Sequence, residues 1–240
     1  MTRTGRPTLV IAHRGASAYR PENTLSAYAL AVEQAADMIE IDLHLSRDGV
    51  VVVTHDELLA GLGGRGEIAE ASLEELRKLD AGEGERIPTL DEVLDRFGSR
   101  IPFNLELKRG ARAEYPGLEA KALGAVLERG LLERTLFSSF SDAVLERLRG
   151  LCPEARIALL VSRKFPQGAL ARAAHLGAEA LNPDRSLASP AWTRQAHAAG
   201  LDVHVFTVDA EAGLRRFLEL GVDGIFTNTP DRLRRLVPRV

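Results

Sequence analysis

In the segment Met38-Ile-Glu-Ile-Asp-Leu-His-Leu45, polar side chains occupy alternate positions. A strand sends such positions to one face, so Glu40, Asp42 and His44 would stand together there. Two carboxylates that close repel each other unless a cation or a proton lies between them. Phe103-Asn-Leu-Glu-Leu-Lys108 repeats the pattern and gathers Asn104, Glu106 and Lys108 on one face. If the two faces meet, Glu40, Asp42 and Glu106 make an all-oxygen set suited to a divalent cation, Mg2+ or Ca2+, rather than to zinc. Taken alone, the first segment has a competing reading as an exposed edge strand of alternating polarity. His13-Arg14-Gly15 follows one short apolar run, and His55-Asp56 follows another, Val50–Thr54. Either histidine singly reads as a hydrogen-bonded structural residue, but two of them at strand ends beside carboxylates can move protons.

Such a constellation needs elements that deliver residues to one rim. Apolar or β-branched runs occur at Leu9–Ala12, Met38–Leu45, Phe103–Lys108, Thr135–Ser139, Arg156–Val161, Ala178–Asn182, Asp202–Thr207 and Gly224–Thr227, each followed by a helix-compatible stretch. Alternating strand and helix signals predict βα units around a parallel sheet, and this number of them predicts a closed TIM (β/α)8 barrel. A doubly wound open sheet is the alternative. In a barrel, catalytic residues sit at the C-terminal strand ends, where His13, Arg14 and Lys108 would fall. Ser72-Leu-Glu-Glu75 and Thr89-Leu-Asp-Glu92 fit capping boxes and predict two helix starts. Both lie between the second and third barrel strands, where residues 56–88 read as a small insertion. No repeat, low-complexity tract or linker divides the chain, so residues 1–240 are expected to form one domain. Gly61-Leu-Gly-Gly-Arg-Gly66 satisfies a dinucleotide-binding pattern formally, but no tight strand precedes it and no apolar helix follows. It reads as a flexible loop.

Composition narrows the partners. The net charge of −3 gives no overall attraction to nucleic acid, so anion binding must rest on local cations. The single cysteine, Cys152, excludes an intramolecular disulfide and a cysteine-based zinc site, and reads as a packed or partly exposed structural thiol. The run Leu9–Ala12 stops at His13-Arg14, short of a signal-peptide core, and no stretch approaches the ~18 apolar residues of a membrane span. A cytoplasmic protein without stable membrane association is expected, and no oligomeric state follows. His204 reads either as lining the barrel mouth or as core.

Taken in order, His13-Arg14-Gly15, Pro21-Glu22-Asn23-Thr24, Glu40-x-Asp42, Asp48-Gly49 with His55-Asp56, Leu105-Glu106-Leu107-Lys108 and Phe226-Thr227-Asn228-Thr229-Pro230 resemble the motif series of the glycerophosphodiester phosphodiesterase family. The resemblance runs from residue 9 to residue 231. It implies a TIM barrel with a small insertion after the second strand, and hydrolysis of a small glycerophosphodiester to glycerol 3-phosphate and an alcohol. It also implies that His13 and His55 are general acid and base, that Glu40, Asp42 and Glu106 hold the metal, and that Arg14 and Lys108 clamp phosphate. The chain departs from the family pattern in two places. Leu58-Leu-Ala-Gly-Leu-Gly-Gly-Arg65 stands where an Arg-Thr-Thr-like stretch is common, and Phe206 where a tryptophan is frequent, both of which bear on substrate preference. A phosphodiester resists anionic nucleophiles and has a poor alkoxide leaving group, so its hydrolysis needs charge neutralisation and proton donation. The nucleophile is water or the substrate's own glycerol 2-hydroxyl. Competing readings are a lysophospholipase D-like enzyme, which would need an apolar lid, and a noncatalytic barrel that binds phosphorylated metabolites, which would lack one histidine.

Overall fold

The computed structural model describes residues 2–238. Its elements run β1 (Leu9–His13), α1 (Leu25–Glu33), β2 (Met38–Leu45), β3 (Val51–Val53), α2 (Leu73–Leu76), α3 (Leu90–Phe97), β4 (Phe103–Leu107), α4 (Leu118–Glu128), β5 (Thr135–Ser139), α5 (Asp142–Leu151), β6 (Arg156–Val161), α6 (Ala169–Leu176), β7 (Ala180–Pro183), α7 (Pro190–Ala198), β8 (Asp202–Val205), α8 (Glu211–Leu220), β9 (Gly224–Thr227) and α9 (Pro230–Leu236). All strands except β3 run parallel, and the β1–β2 pairing closes them into a (β/α)8 TIM barrel. The open-sheet alternative is thereby excluded.

The two faces of β2 explain its sequence. Ile39, Ile41, Leu43 and Leu45 face outward into the core beneath the helices, while Glu40, Asp42 and His44 take the inward positions. Every residue of the strand is buried, so its alternation is not that of a solvated edge. Inside the barrel, Leu136, Ala158 and Ala180 form one apolar cluster, and Ile11, Met38 and Phe226 another. Both capping boxes form: Ser72 Oγ accepts from Glu75 N at 3.3 Å, and Thr89 Oγ1 from Glu92 N at 3.2 Å, with each glutamate returning to the cap N–H. From the second box, α3 buries Leu90, Val93, Leu94 and Phe97, the spacing of a single helix face.

Some boundaries shift. β8 ends at Val205 rather than Thr207, because beyond it only an isolated bridge, Asp184 to Phe206, continues the pairing. β3 lies antiparallel on β2, with Leu43 opposite Val53. The segment after it is folded rather than loose. Val52, Leu59, Ile68, Ala71, Leu76 and Ile87 bury a small core of their own, and the glycine-rich stretch takes a 3-10 turn over Leu59–Leu62 that Gly63 ends at φ 75°. Cys152 is buried, as expected of a packed thiol. Among the described residues no helix is long and apolar enough to cross a membrane.

Candidate active site

Strand register brings the separated motifs together. His13 pairs with Glu40, Glu40 with Asn104, and Asp42 with Glu106, so adjacent strands place inward side chains side by side at the C-terminal end of the barrel. His13, Arg14, Glu40, His55, Asn104, Glu106 and Lys108 line a cavity of about 160 Å3. Asp42 does not line it but is buried beside Glu106 in the strand register, 1% exposed. All seven residues singled out in the sequence therefore converge. The turn after β1 depends on local backbone: Arg14 sits at φ 57°, in the left-handed region, and a Cβ on Gly15 would come within 2.7 Å of Ala27. Glu40 Oε2 accepts from the Arg14 N–H at 2.9 Å and the Arg14 carbonyl accepts from Asn23 N at 3.0 Å, which holds that conformation in place.

Three buried carboxylates face two cations. One oxygen from each of Glu40, Asp42 and Glu106 lies within 4.8 Å of the others. Lys108 Nζ stands 3.1 Å from Asp42 and 3.0 Å from Glu106, and Arg14 Nε 3.1 Å from Asp42. Burial, and then the charges of Asp42 and Glu106, push the Glu40 carboxyl well above its ordinary value. Burial opposes ionisation of Asp42 too, but Lys108 and Arg14 outweigh it and hold that carboxyl low. Asp42 is also oriented from behind: Asn23 Nδ2 donates to it at 2.9 Å, and Asn23 Oδ1 accepts from the Tyr28 hydroxyl at 2.8 Å. Asp42 Oδ1, the oxygen 3.1 Å from Lys108 Nζ, is buried and makes no well-directed hydrogen bond, so it keeps coordinating capacity beside the ammonium. A spare carboxylate lone pair among like charges is an arrangement that a hard divalent cation fits.

The two histidines have different backing. His55 Nδ1 lies 2.8 Å from the Asp56 carboxylate, which can only accept, so Nδ1 donates. His44 donates from Nε2 to the His55 carbonyl at 3.2 Å and accepts at Nδ1 from the Tyr115 hydroxyl at 2.7 Å. It shares the inward face with Glu40 and Asp42 but serves as a support for the His55 backbone. Burial lowers the His44 imidazole to about 4, which keeps it neutral for both bonds. His13 Nδ1 lies 2.8 Å from Asn228 Oδ1. Burial, with the Arg14 charge second, lowers His13 to about 4 as well, and burial lowers His55.

The cavity's remaining wall is mainly apolar, made by Phe140, Leu160, Phe206 and Phe226 with Thr207 beside them. Phe206 meets Phe140 edge-on at 6.0 Å and Phe226 at 6.4 Å. Sequence reasoning singled out Phe206 alone, as a departure from the family pattern that bears on substrate preference, and gave Phe140, Leu160 and Phe226 no part in a cavity wall. It also assigned no role to Asn23 or Asn228, although both lie in the motifs, and it passed over Asp209, whose carboxylate accepts from Asn228. Position after β8, the seventh barrel strand, was the only signal for Asp209.

Comparison with known proteins agrees with this geometry. Residues 13–232 match the glycerophosphoryl diester phosphodiesterase family. The chain belongs to that family, and it is an enzyme of that class. It is 38% identical to a glycerophosphodiester phosphodiesterase of Caldanaerobacter subterraneus subsp. tengcongensis, across 96% of this chain and 98% of that one. To its Bacillus subtilis counterpart it is 33% identical across 95% and 86%. Among solved structures, an Oleispira antarctica phosphodiesterase in complex with the product sn-glycerol-3-phosphate superposes with a TM-score of 0.83, at 33% identity and 98% coverage of both chains.

Proposed function

We propose that this enzyme hydrolyses small glycerophosphodiesters to glycerol 3-phosphate and an alcohol, using a divalent cation and two proton-carrying histidines. The observation that carries the reading is the convergence of three buried carboxylates, two cations and two imidazoles on one cavity at the C-terminal rim. Glu40, Asp42 and Glu106 would hold Mg2+ or Ca2+, which supplies Lewis-acid neutralisation of phosphoryl charge when bound. Arg14 uses Nε and Nη1 on Asp42 and Glu22, which leaves Nη2 for a nonbridging oxygen, and Lys108 adds a second positive head on the same side. His13 and His55 divide the proton work: one imidazole accepts the nucleophile's proton and the other protonates the departing alkoxide. The enzyme acts as one barrel unit over residues 1–240, with residues 56–88 as the small insertion. It works in the cytoplasm, without stable membrane association.

The apolar wall favours a second reading, a lysophospholipase D-like activity, since Phe140 and its neighbours could shelter an acyl chain. Size argues for the first. A cavity of about 160 Å3 lies below the roughly 300–1,000 Å3 that takes drug-sized ligands. The test is choline release from glycerophosphocholine, with and without EDTA, in competition with lysophosphatidylcholine below its micellar concentration. Turnover of glycerophosphocholine should vanish on chelation and return with Mg2+ or Ca2+. Full activity in EDTA would remove the cation from the reading, and higher kcat/KM for the lysophospholipid would favour the second one.

A further inference from the structure

Behind His13, away from the cavity, a short hydrogen-bonded chain has only one consistent direction. Asp209, in the loop between β8 and α8, takes three donors: Asn228 Nδ2 at 2.8 Å, the Asn228 backbone N–H at 2.7 Å and the Thr227 hydroxyl at 3.0 Å. An ionised carboxylate has no proton to give, so the amide of Asn228 must turn its NH2 toward Asp209. Its oxygen is then committed to the other side. There Oδ1 stands 2.8 Å from His13 Nδ1 and 2.9 Å from the Ser17 hydroxyl, whose single proton it shares with the His13 carbonyl at 2.8 Å. An amide oxygen only accepts, so Nδ1 of a neutral His13 must carry the proton, and Nε2 is left bare.

We propose that Asp209 is a positioning residue that acts through Asn228 to fix His13 as the Nδ1–H tautomer, so that the unprotonated Nε2 is the atom available for proton transfer. Asp209 touches no reacting atom. The inference rests on the proposed role of His13 as a proton carrier, but the tautomer itself does not depend on that role. The two histidines thus reach the same tautomer by different means, His55 by direct contact with a carboxylate and His13 at one remove. The intervening amide gives orientation without placing a full negative charge against the His13 ring.

Removing the Asp209 carboxylate frees the Asn228 amide to flip, present NH2 to Nδ1 and drive the proton to Nε2. The experiment is 15N-detected NMR of the His13 ring in wild type and Asp209→Ala, with kcat and KM measured on glycerophosphocholine. Wild type should show a protonated Nδ1. Asp209→Ala should show protonated Nε2, with kcat lower by roughly ten- to a hundredfold and KM little changed, since a wrong tautomer has cost up to ~10⁴-fold in serine proteases. A second variant covers a failure of Asp209→Ala to fold. In Asp209→Asn/Asn228→Asp the amide and carboxylate exchange places, and the new carboxylate should still accept from Nδ1, with kcat recovered to within about tenfold of wild type. An unchanged Nδ1–H signal in Asp209→Ala, or its loss in the folded exchange variant, overturns the proposal. A shift of tautomer with kcat untouched would uphold Asp209 as the orienting group and sink the role of His13 in proton transfer.

Discussion

The two sides of the barrel's inner surface are built on opposite principles. From β1 to β4 the mouth carries His13, Glu40, Glu106 and Lys108, with Asp42 buried beside Glu106; from β5 to β9 it carries Phe140, Leu160, Phe206, Thr207 and Phe226. The first side concentrates buried charge, which is costly and stays only where each group finds a partner. Arg14 and Lys108 are those partners for the carboxylates, while Asn23 holds Asp42, Asn228 holds His13, and Asp56 and His44 hold His55, with Tyr115 behind His44. The second side is mainly apolar at the rim, with Thr207 as the polar exception, and carries uncharged polar groups below, Ser138 and Asn182, which hydrogen-bond with Asn104. The difference separates chemistry from shape: rate should depend on the polar side, while substrate fit should depend on the apolar one.

The hardest test of that division is at the histidines. His13→Ala and His55→Ala should each lower kcat by about a hundredfold or more, the scale of a lost general acid or base, with circular dichroism unchanged. His13 lies at a strand end and His55 is partly exposed, so neither truncation opens a deep core cavity. Wild-type turnover in either folded variant would remove that histidine from the chemistry and blur the contrast between the sides.

The same contrast explains how much the sequence could reveal. Acidic residues at alternate positions of β2 and β4 violate the expectation of Val, Ile and Leu inside a barrel, and that violation made Glu40, Asp42 and Glu106 visible. Eight strand runs gave the fold for the same reason, since outward apolar faces must repeat wherever a helix packs on them. Phe206 and Phe226 break no such rule, so nothing local separates a substrate-facing phenylalanine from a packed one. Asp209 and Asn228 lie nineteen residues apart and meet only because β8 and β9 are neighbours, which no single segment encodes. The region after β3 was legible only as an insertion with a glycine-rich loop, because its apolar residues are scattered too widely to announce the small core they form.

A smaller effect is expected on the apolar side. Phe140 is 43% exposed, so its truncation leaves folding largely intact while removing one edge of the wall. Phe140→Ala should raise KM for glycerophosphocholine by roughly tenfold and leave kcat near wild type, the pattern of lost uniform binding. Steady-state kinetics decides it. A fall in kcat comparable to that of the histidine variants would mean that the apolar side shares in the chemistry.

The smallest effect concerns His204, the one imidazole set among that side's apolar residues. It is buried, packs against Phe226 with ring centroids 6.5 Å apart, and lies so close to residue 224 that a Cβ there would come 2.8 Å from its Cδ2. That contact explains the glycine. Neither ring nitrogen has a hydrogen-bond partner among the described residues, which places the ring in the core rather than among the polar groups of the mouth. Burial lowers its proton affinity below the ordinary 6.5, against a smaller pull from Asp202 and Asp223. In the unfolded chain the ring would titrate normally. At pH above 6.5 both states are neutral and His204 adds no pH dependence; below it the unfolded state takes up a proton that the folded state refuses, and stability falls until the folded value is reached. One such proton is worth about 1.4 kcal/mol per pH unit at most. Urea unfolding at pH 8 and pH 5.5 should therefore show wild type losing more stability on acidification than His204→Leu does, by on the order of 1 kcal/mol. The other histidines cancel in that difference. Equal losses in the two proteins would show that His204 finds a hydrogen-bonding partner in solution, and the ring would then belong with Ser138 and Asn182 among the polar groups of that side.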